Sequence, residues 1–446
     1  MKSNLFLFFL IILPYCIINA QNTGQKATQK ADSNNVEKFS IHAQTTVINQ
    51  FKPKFDAPYT GNKSLTTDEE DQTSITSTLF LGAKLWKGAS IFLNPEIAGG
   101  SGLSSAQGIA AATNGETFRV GSTAPQIYLA RLFYRQIFAL SAETTPQETD
   151  FNQLKEAIPT KYLSFTIGKI GVADYFDHNG YSHDPRRQFM SWALMDNGAW
   201  DYPANTRGYT PSIVLEYVTP KNELRYGLSL VPLVANGNKI NQDISKASSH
   251  SLEYTHKHKI RNRIGAIRFL GFITSANMGN YNQSIALSPT NPTIEATRQY
   301  GNIKYGFGIN AEQEISSNVG IFFRASWNDG NNETWAFTEI DRSMSAGVSI
   351  NGQKWKREND NIGFAYVVSG ISKPHRDYLK AGGEGFMLGD GNLNYGLEHL
   401  TELYYSAQVT NSVYVSGAYQ MLVNPGYNKD RQGLVNVFSV RLHVRI

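Results

Sequence analysis

The chain ends on a strand whose two faces differ sharply in chemistry. From Leu434 to Ile446 one parity reads Leu434, Asn436, Phe438, Val440, Leu442, Val444 and Ile446, and the other Val435, Val437, Ser439, Arg441, His443 and Arg445. Successive strand side chains point to opposite faces, so one face is apolar and the other basic. The same pattern recurs upstream. Ile75, Leu79, Leu81 and Leu85 oppose Thr76, Thr78 and Lys84; Leu224, Tyr226, Leu228 and Leu230 oppose Arg225. Tyr305, Phe307, Ile309 and Ala311 oppose Glu312, and Ile321, Phe323, Ala325 and Trp327 oppose Arg324. Leu397, Leu403, Tyr405 and Val409 leave Glu398 and Glu402 on the second face, and Tyr128, Ala130, Leu132 and Tyr134 leave Arg131 and Arg135 there. A transmembrane antiparallel barrel needs this pattern, with lipid on one side of the wall and a watery lumen on the other. A soluble sandwich also alternates, but it has no need of Arg and Glu repeated along the second face.

Sixteen segments read as strands: 39–49, 74–86, 89–99, 126–140, 161–171, 210–219, 223–234, 249–259, 263–274, 300–314, 318–328, 335–351, 359–372, 394–409, 412–423 and 434–446. An even number suits a single-chain bacterial barrel, and short turns such as Lys87-Gly88 and Lys221-Asn222 alternate with long loops, as such barrels require. One segment breaks the rule. Leu163, Phe165, Ile167 and Lys169 share a parity, which predicts either a bulge at Gly168 or the end of the strand there.

The N-terminus sets the compartment. Lys2 precedes an apolar run from Leu5 to Ile18, and Asn19-Ala20 precedes Gln21, the pattern of a signal peptide cleaved after Ala20. Fourteen residues span only about 21 Å as a helix, short of the ~30 Å hydrocarbon core. Cys16 raises the alternative of a lipoprotein, although Leu13-Pro14-Tyr15 lacks the small residues of a lipobox. Residues 21–38 read as a flexible polar leader, and 39–446 as one barrel domain. Beyond the signal no run of 18 apolar residues occurs, so no transmembrane helix is expected.

Composition narrows the functional classes. Charged residues make up 17% of the chain, below the roughly 25% of ordinary soluble domains, while aromatics reach 12%. Forty-one Lys and Arg against 37 Asp and Glu, with no long basic tract, give no argument for nucleic acid. HExxH, Walker and G-x-S-x-G motifs are absent from the sequence. Gly306-Phe307-Gly308-Ile309-Asn310-Ala311 loosely fits a dinucleotide loop but sits inside a candidate strand. Asp390-Gly391-Asn392-Leu393-Asn394 begins like a calcium loop, yet Tyr395 and Thr401 stand where Gly and Glu are needed, so it reads as an Asx/Gly turn. His256 and His258 share a face and read as part of a solvated strand.

Segment 172–209 differs from the rest. It carries Asp174, Asp177, Asp184, Asp196 and Asp201, the pair Arg186-Arg187 and several rings, without alternation. A long charged and aromatic loop between strands is often functional, and here it is expected to fold inward and narrow the lumen. Gly168-Lys169, Val172 to Asp177, His183-Asp184-Pro185-Arg186, Trp192 to Met195 and Gly198 to Pro203 resemble the carbohydrate-selective outer-membrane porins, the OprB-like family. So do Leu81 to Gly88, Asn94-Pro95-Glu96, Tyr128 to Arg131, Tyr209-Thr210, His375 to Tyr378 with Gly382-Gly383, Gly389 to Gly391, Asn394 to Gly396, Asn424 to Asn428 and Asp430-Arg431. The likeness runs from about 39 to 446 and is weakest over 249–350; Ile446 departs from the usual aromatic terminus.

The resemblance implies a sixteen-stranded barrel, often monomeric, that passes sugars by diffusion through a constriction of Arg, Lys, carboxylates and rings. Carried onto this sequence, the constriction maps to Arg131, Arg135, Asp174, Asp177, Arg186, Trp200, Asp201, Arg207, Glu398 and Glu402. No catalytic residue, metal or cofactor is implied. The expected partners are carbohydrate solutes, outer-membrane lipid and the barrel-insertion machinery. A general or anion-preferring porin is the alternative use of the same fold; a barrel enzyme or an adhesin is the alternative from other classes.

Overall fold

The computed structural model describes residues 36–116, 123–431 and 433–446. The expected signal peptide, Cys16 and leader residues 21–35 lie outside them. Sixteen antiparallel strands close into a barrel. They are β1 (Phe39–Lys52), β2 (Glu70–Trp86), β3 (Ala89–Gly100), β4 (Gln126–Ala139), β7 (Tyr162–Ile170), β8 (Thr210–Val218), β9 (Asn222–Ser229) and β10 (Ser248–Ile260). The second half comprises β11 (Arg263–Met278), β12 (Gln299–Ser316), β13 (Val319–Asn328), β14 (Arg342–Gly352), β15 (Arg357–Gly370), β16 (Glu398–Gln408), β17 (Val413–Val423) and β18 (Val435–Arg445). Strand β18 pairs with β1 from Gln44↔Arg445 to Phe51↔Phe438, so the sheet has no free edge. Each of the sixteen expected strands is present. A short hairpin of β5 (Thr144–Gln147) and β6 (Glu156–Pro159) stands apart from the wall and was not expected.

Alternation places side chains as read from the sequence on most strands. Ile41, Phe269, Phe307 and Val440 are exposed on the outer wall, whereas Arg324, Glu398, Glu402 and Arg441 are buried on the inner side. No described helix is long and apolar enough to cross a membrane; the wall crosses with strands instead. Turns 87–88, 261–262 and 317–318 join strands at the end where β1 begins and β18 finishes, and the long connections from β3 to β4, β7 to β8 and β15 to β16 leave from the other. In an outer-membrane barrel the short turns face the periplasm.

Three local readings are corrected. Register shifts between β3 and β4, where Asn94 pairs with Arg131 but Pro95 pairs with Leu129, leaving Ala130 as the extra residue of a bulge. Tyr128 is thereby turned inward, and its hydroxyl donates to Glu96. Strand β7 shows no bulge at Gly168 and continues to Ile170. Lys169 tolerates its outward position because it sits at the strand end, where its ammonium reaches the Leu129 carbonyl at 2.7 Å. Residues 335–341 are not strand: the backbone N–H groups of Trp335, Ala336 and Phe337 are taken by the Asp201 carboxylate at 2.7–3.1 Å.

The apolar core lies inside the barrel. Residues 101–116 and loop 171–209 fold into the lumen, where Phe189, Trp192, Trp200, Tyr202 and Phe337 are buried with inward residues such as Phe322 and Tyr404. The two loops grip each other through Ser191 Oγ donating to Ala111 O at 2.8 Å and Trp192 N to Ala112 O at 3.0 Å.

Candidate functional site

The inward charges of the wall serve two purposes. One set holds loops. Glu398 accepts the N–H groups of Ala110, Ala111 and Gly426 at 3.0, 2.7 and 2.7 Å, and Glu402 those of Met190 and Ser191 at 2.6 and 2.9 Å. Arg324 donates to the carbonyls of Leu194, Ser182 and Asp177 at 2.7–3.1 Å and pairs with the Asp177 carboxylate at 3.2 Å. Asp177 also accepts from Asn197 and Asn310. Most of these contacts satisfy loop backbone that has left water, so the loops can stay buried with only short helical turns.

The other set faces a cavity of about 260 Å³ between β3, β4 and the two inward loops. Arg131 grips Asp174 with both Nε and Nη2, at 2.6 and 2.7 Å, and its guanidinium lies 4.9 Å from the Tyr209 ring centre. Arg207 stacks 3.9 Å over Tyr128 and donates to Gln126 at 3.0 Å. Across the cavity Arg186 meets Glu116 at 2.8 Å and Asp184 at 3.8 Å. Glu96 accepts from Tyr209 at 3.0 Å, from Thr78 at 2.6 Å and from Tyr128. His183 and the packed rings of Trp192, Tyr202 and Phe337 complete the lining.

Burial and pairing tune the loop groups. Burial pushes the Glu116 carboxyl up to about 7, against the pull of Arg186 and Thr76. Burial alone would lower Arg186, but Glu116 and Asp184 outweigh it and hold the guanidinium above its ordinary value. Asp184 moves the other way: Arg186 more than offsets burial and holds the carboxyl down. For His183, burial is outweighed by Asp196, 3.5 Å away, which raises the imidazole.

Of the residues mapped from sequence, Arg131, Asp174, Arg186 and Arg207 line this cavity. Asp177, Asp201, Glu398 and Glu402 are buried against loop backbone instead, and Trp200 packs among Phe176 and Tyr202. Arg135 lies over the Phe92 ring at 5.3 Å and is not part of the lining. Glu96, Glu116, Asp184, Tyr128 and Tyr209 were missed as site residues. Glu96 and Asp184 stand in quoted motifs, and Tyr128 was hidden by the bulge. Glu116 carries no local signal, because its partner Arg186 is 70 residues away. Among the described residues no cluster of His, Cys, Asp and Glu could hold a metal ion.

A greasy outer wall, a closed sixteen-stranded sheet and inward loops that leave a polar cavity define an outer-membrane porin. The family model described as "Carbohydrate-selective porin, OprB family" matches residues 62–445. The chain belongs to that family, and its place is the Gram-negative outer membrane. Among solved structures it is similar to the high-pH structure of Pseudomonas putida OprB, with TM-score 0.68 and 15% identity, over 92% of this chain and 94% of that one. The outer membrane channel DcaP of Acinetobacter baumannii aligns with TM-score 0.50 and 8% identity, over 92% and 97%. At such identities the likeness concerns the fold. No curated protein sequence matches the chain.

Proposed function

We propose that the barrel passes mono- and oligosaccharides by diffusion down their gradient, and that the cavity between β3, β4 and loop 171–209 is where a passing sugar is contacted. The observation that carries this reading is the mixed lining: guanidinium donors on Arg131, Arg186 and Arg207, carboxylate acceptors on Glu96, Glu116, Asp174 and Asp184, and the rings of Tyr128, Tyr209 and Trp192. A sugar leaving water needs donors and acceptors together, which such pairs supply. Flat rings suit its C–H faces. Contacts must stay weak for flux to continue, and Arg131 and Arg186 meet a sugar already paired with Asp174 and Glu116. In this reading Asp177, Trp200, Asp201, Glu398 and Glu402 act by holding the loops in place.

Liposome swelling with matched solutes tests the reading. Sugars should enter faster than polyols and amino acids of equal size; rates ordered by size alone would make the protein a general porin. At the residue level, Arg131→Ala should weaken sugar block of the ion current about tenfold, the value of one charge-assisted hydrogen bond of ~1.4 kcal/mol. Arg135→Ala should change it less than about twofold, because Arg135 is off the cavity. Equal effects in bilayer recordings would remove Arg131 from the pathway.

A further inference from the structure

The hairpin of β5 and β6 belongs to the segment joining β4 to β7 at the periplasmic end, where the other described connections are short turns. It turns back into the barrel. Phe151 at its tip stacks on the inward Phe80 of β2, with ring centres 4.3 Å apart and planes 10° from parallel. The Arg445 guanidinium of β18 lies 4.7 Å from the same ring and pairs with Asp150 at 2.7 Å. Asn152 accepts from Asn94 of β3 at 2.9 Å, Thr149 meets His42 of β1 at 2.9 Å, and Glu156 pairs with Lys84 of β2. Leu154 is fully buried in the main core.

These contacts fall on the inner faces of four adjacent strands, β18, β1, β2 and β3. Asn94 lies five residues beyond the periplasmic start of β3, so the tip reaches about 17 Å along that tilted strand at ~3.3 Å per residue. Glu96 of the polar cavity is the next inward residue on that strand. The hairpin therefore occupies lumen directly below the cavity.

We propose that the β5–β6 hairpin is a fixed second restriction, in series with the loop-lined cavity, that limits conductance and the size of solute leaving at the periplasmic end. It is fixed because a stacked ring pair, ion pairs to β2 and β18 and hydrogen bonds to β1 and β3 all hold it. It acts by filling space. The proposal rests on the barrel conducting solutes and is independent of which solute is preferred.

The test replaces residues 144–159 by Asn-Gly, since Glu143 O already accepts from Thr160 N at 2.9 Å and a two-residue turn can close the gap. Single-channel conductance should rise roughly twofold, and larger polyethylene glycols should enter from the periplasmic side, with the order of sugar block unchanged. Wild-type conductance and polymer cut-off in a variant with heat-modifiable gel mobility would overturn the proposal. Phe151→Ala and Asp150→Ala decide the matter if the replacement does not assemble: a partial rise supports the restriction, and no change in either variant overturns it. Two-level switching in the wild type that the replacement abolishes would also overturn it, because the hairpin would then be a moving gate.

Discussion

Glu398→Ala combined with Glu402→Ala should raise single-channel conductance severalfold and flatten any preference among solutes, while the barrel still folds. The two carboxylates accept five loop N–H groups, from Ala110, Ala111, Gly426, Met190 and Ser191. Leaving a buried donor unpaired costs about 1–3 kcal/mol, so losing five together exceeds what loops with only short helical turns can absorb. The loops are then expected to leave the lumen and regain water. The wall does not depend on these side chains, because β16 keeps its backbone ladders with β15 and β17. Glu398→Gln should give a smaller rise, since an amide keeps one acceptor oxygen in place. Planar-bilayer recordings with heat-modifiable gel mobility distinguish the cases. A folded double variant with wild-type conductance would show that these carboxylates do not hold the loops.

The same two residues show what the sequence could and could not tell. Their inward direction was legible, because Leu403 and Tyr405 fix the parity of β16. The barrel was legible for the same reason: lipid outside and polar lumen inside impose period 2 on every strand. The partner of an inward charge was not, because it comes from a loop far along the chain. Glu398 and Arg131 look alike in alternation, yet one binds loop backbone and the other faces the cavity. Tyr128 failed through a single extra residue, Ala130, since a bulge exchanges the two faces. The β5–β6 hairpin failed because Thr144–Gln147 contains Pro146 and lacks apolar alternation, so nothing separated it from a loop.

The second large effect concerns charge. The described lining residues carry three guanidinium groups, Arg131, Arg186 and Arg207, against four carboxylates, Glu96, Glu116, Asp174 and Asp184. With all of them ionised the balance is 3 − 4 = −1, so the cavity should favour cations at pH 8. Burial places Glu116 near 7, and it takes up a proton as the pH falls to 6. That protonation removes a negative charge beside Arg186, so acidification should move the reversal potential under a KCl gradient towards the anion side. The effect on stability has the matching sign. A carboxyl raised in the folded state binds its proton more tightly there than in the unfolded chain. Its contribution is therefore complete below its ordinary value and is lost as the pH rises through about 7, amounting to about 3 kcal/mol. Loop attachment should accordingly be tighter at pH 6 than at pH 8, and current noise lower. Glu116→Gln fixes this position as neutral, so it should be less cation-preferring than the wild type at pH 8 and lose most of the pH response. A variant whose ion preference follows pH as the wild type does would rule out Glu116 as the titrating group.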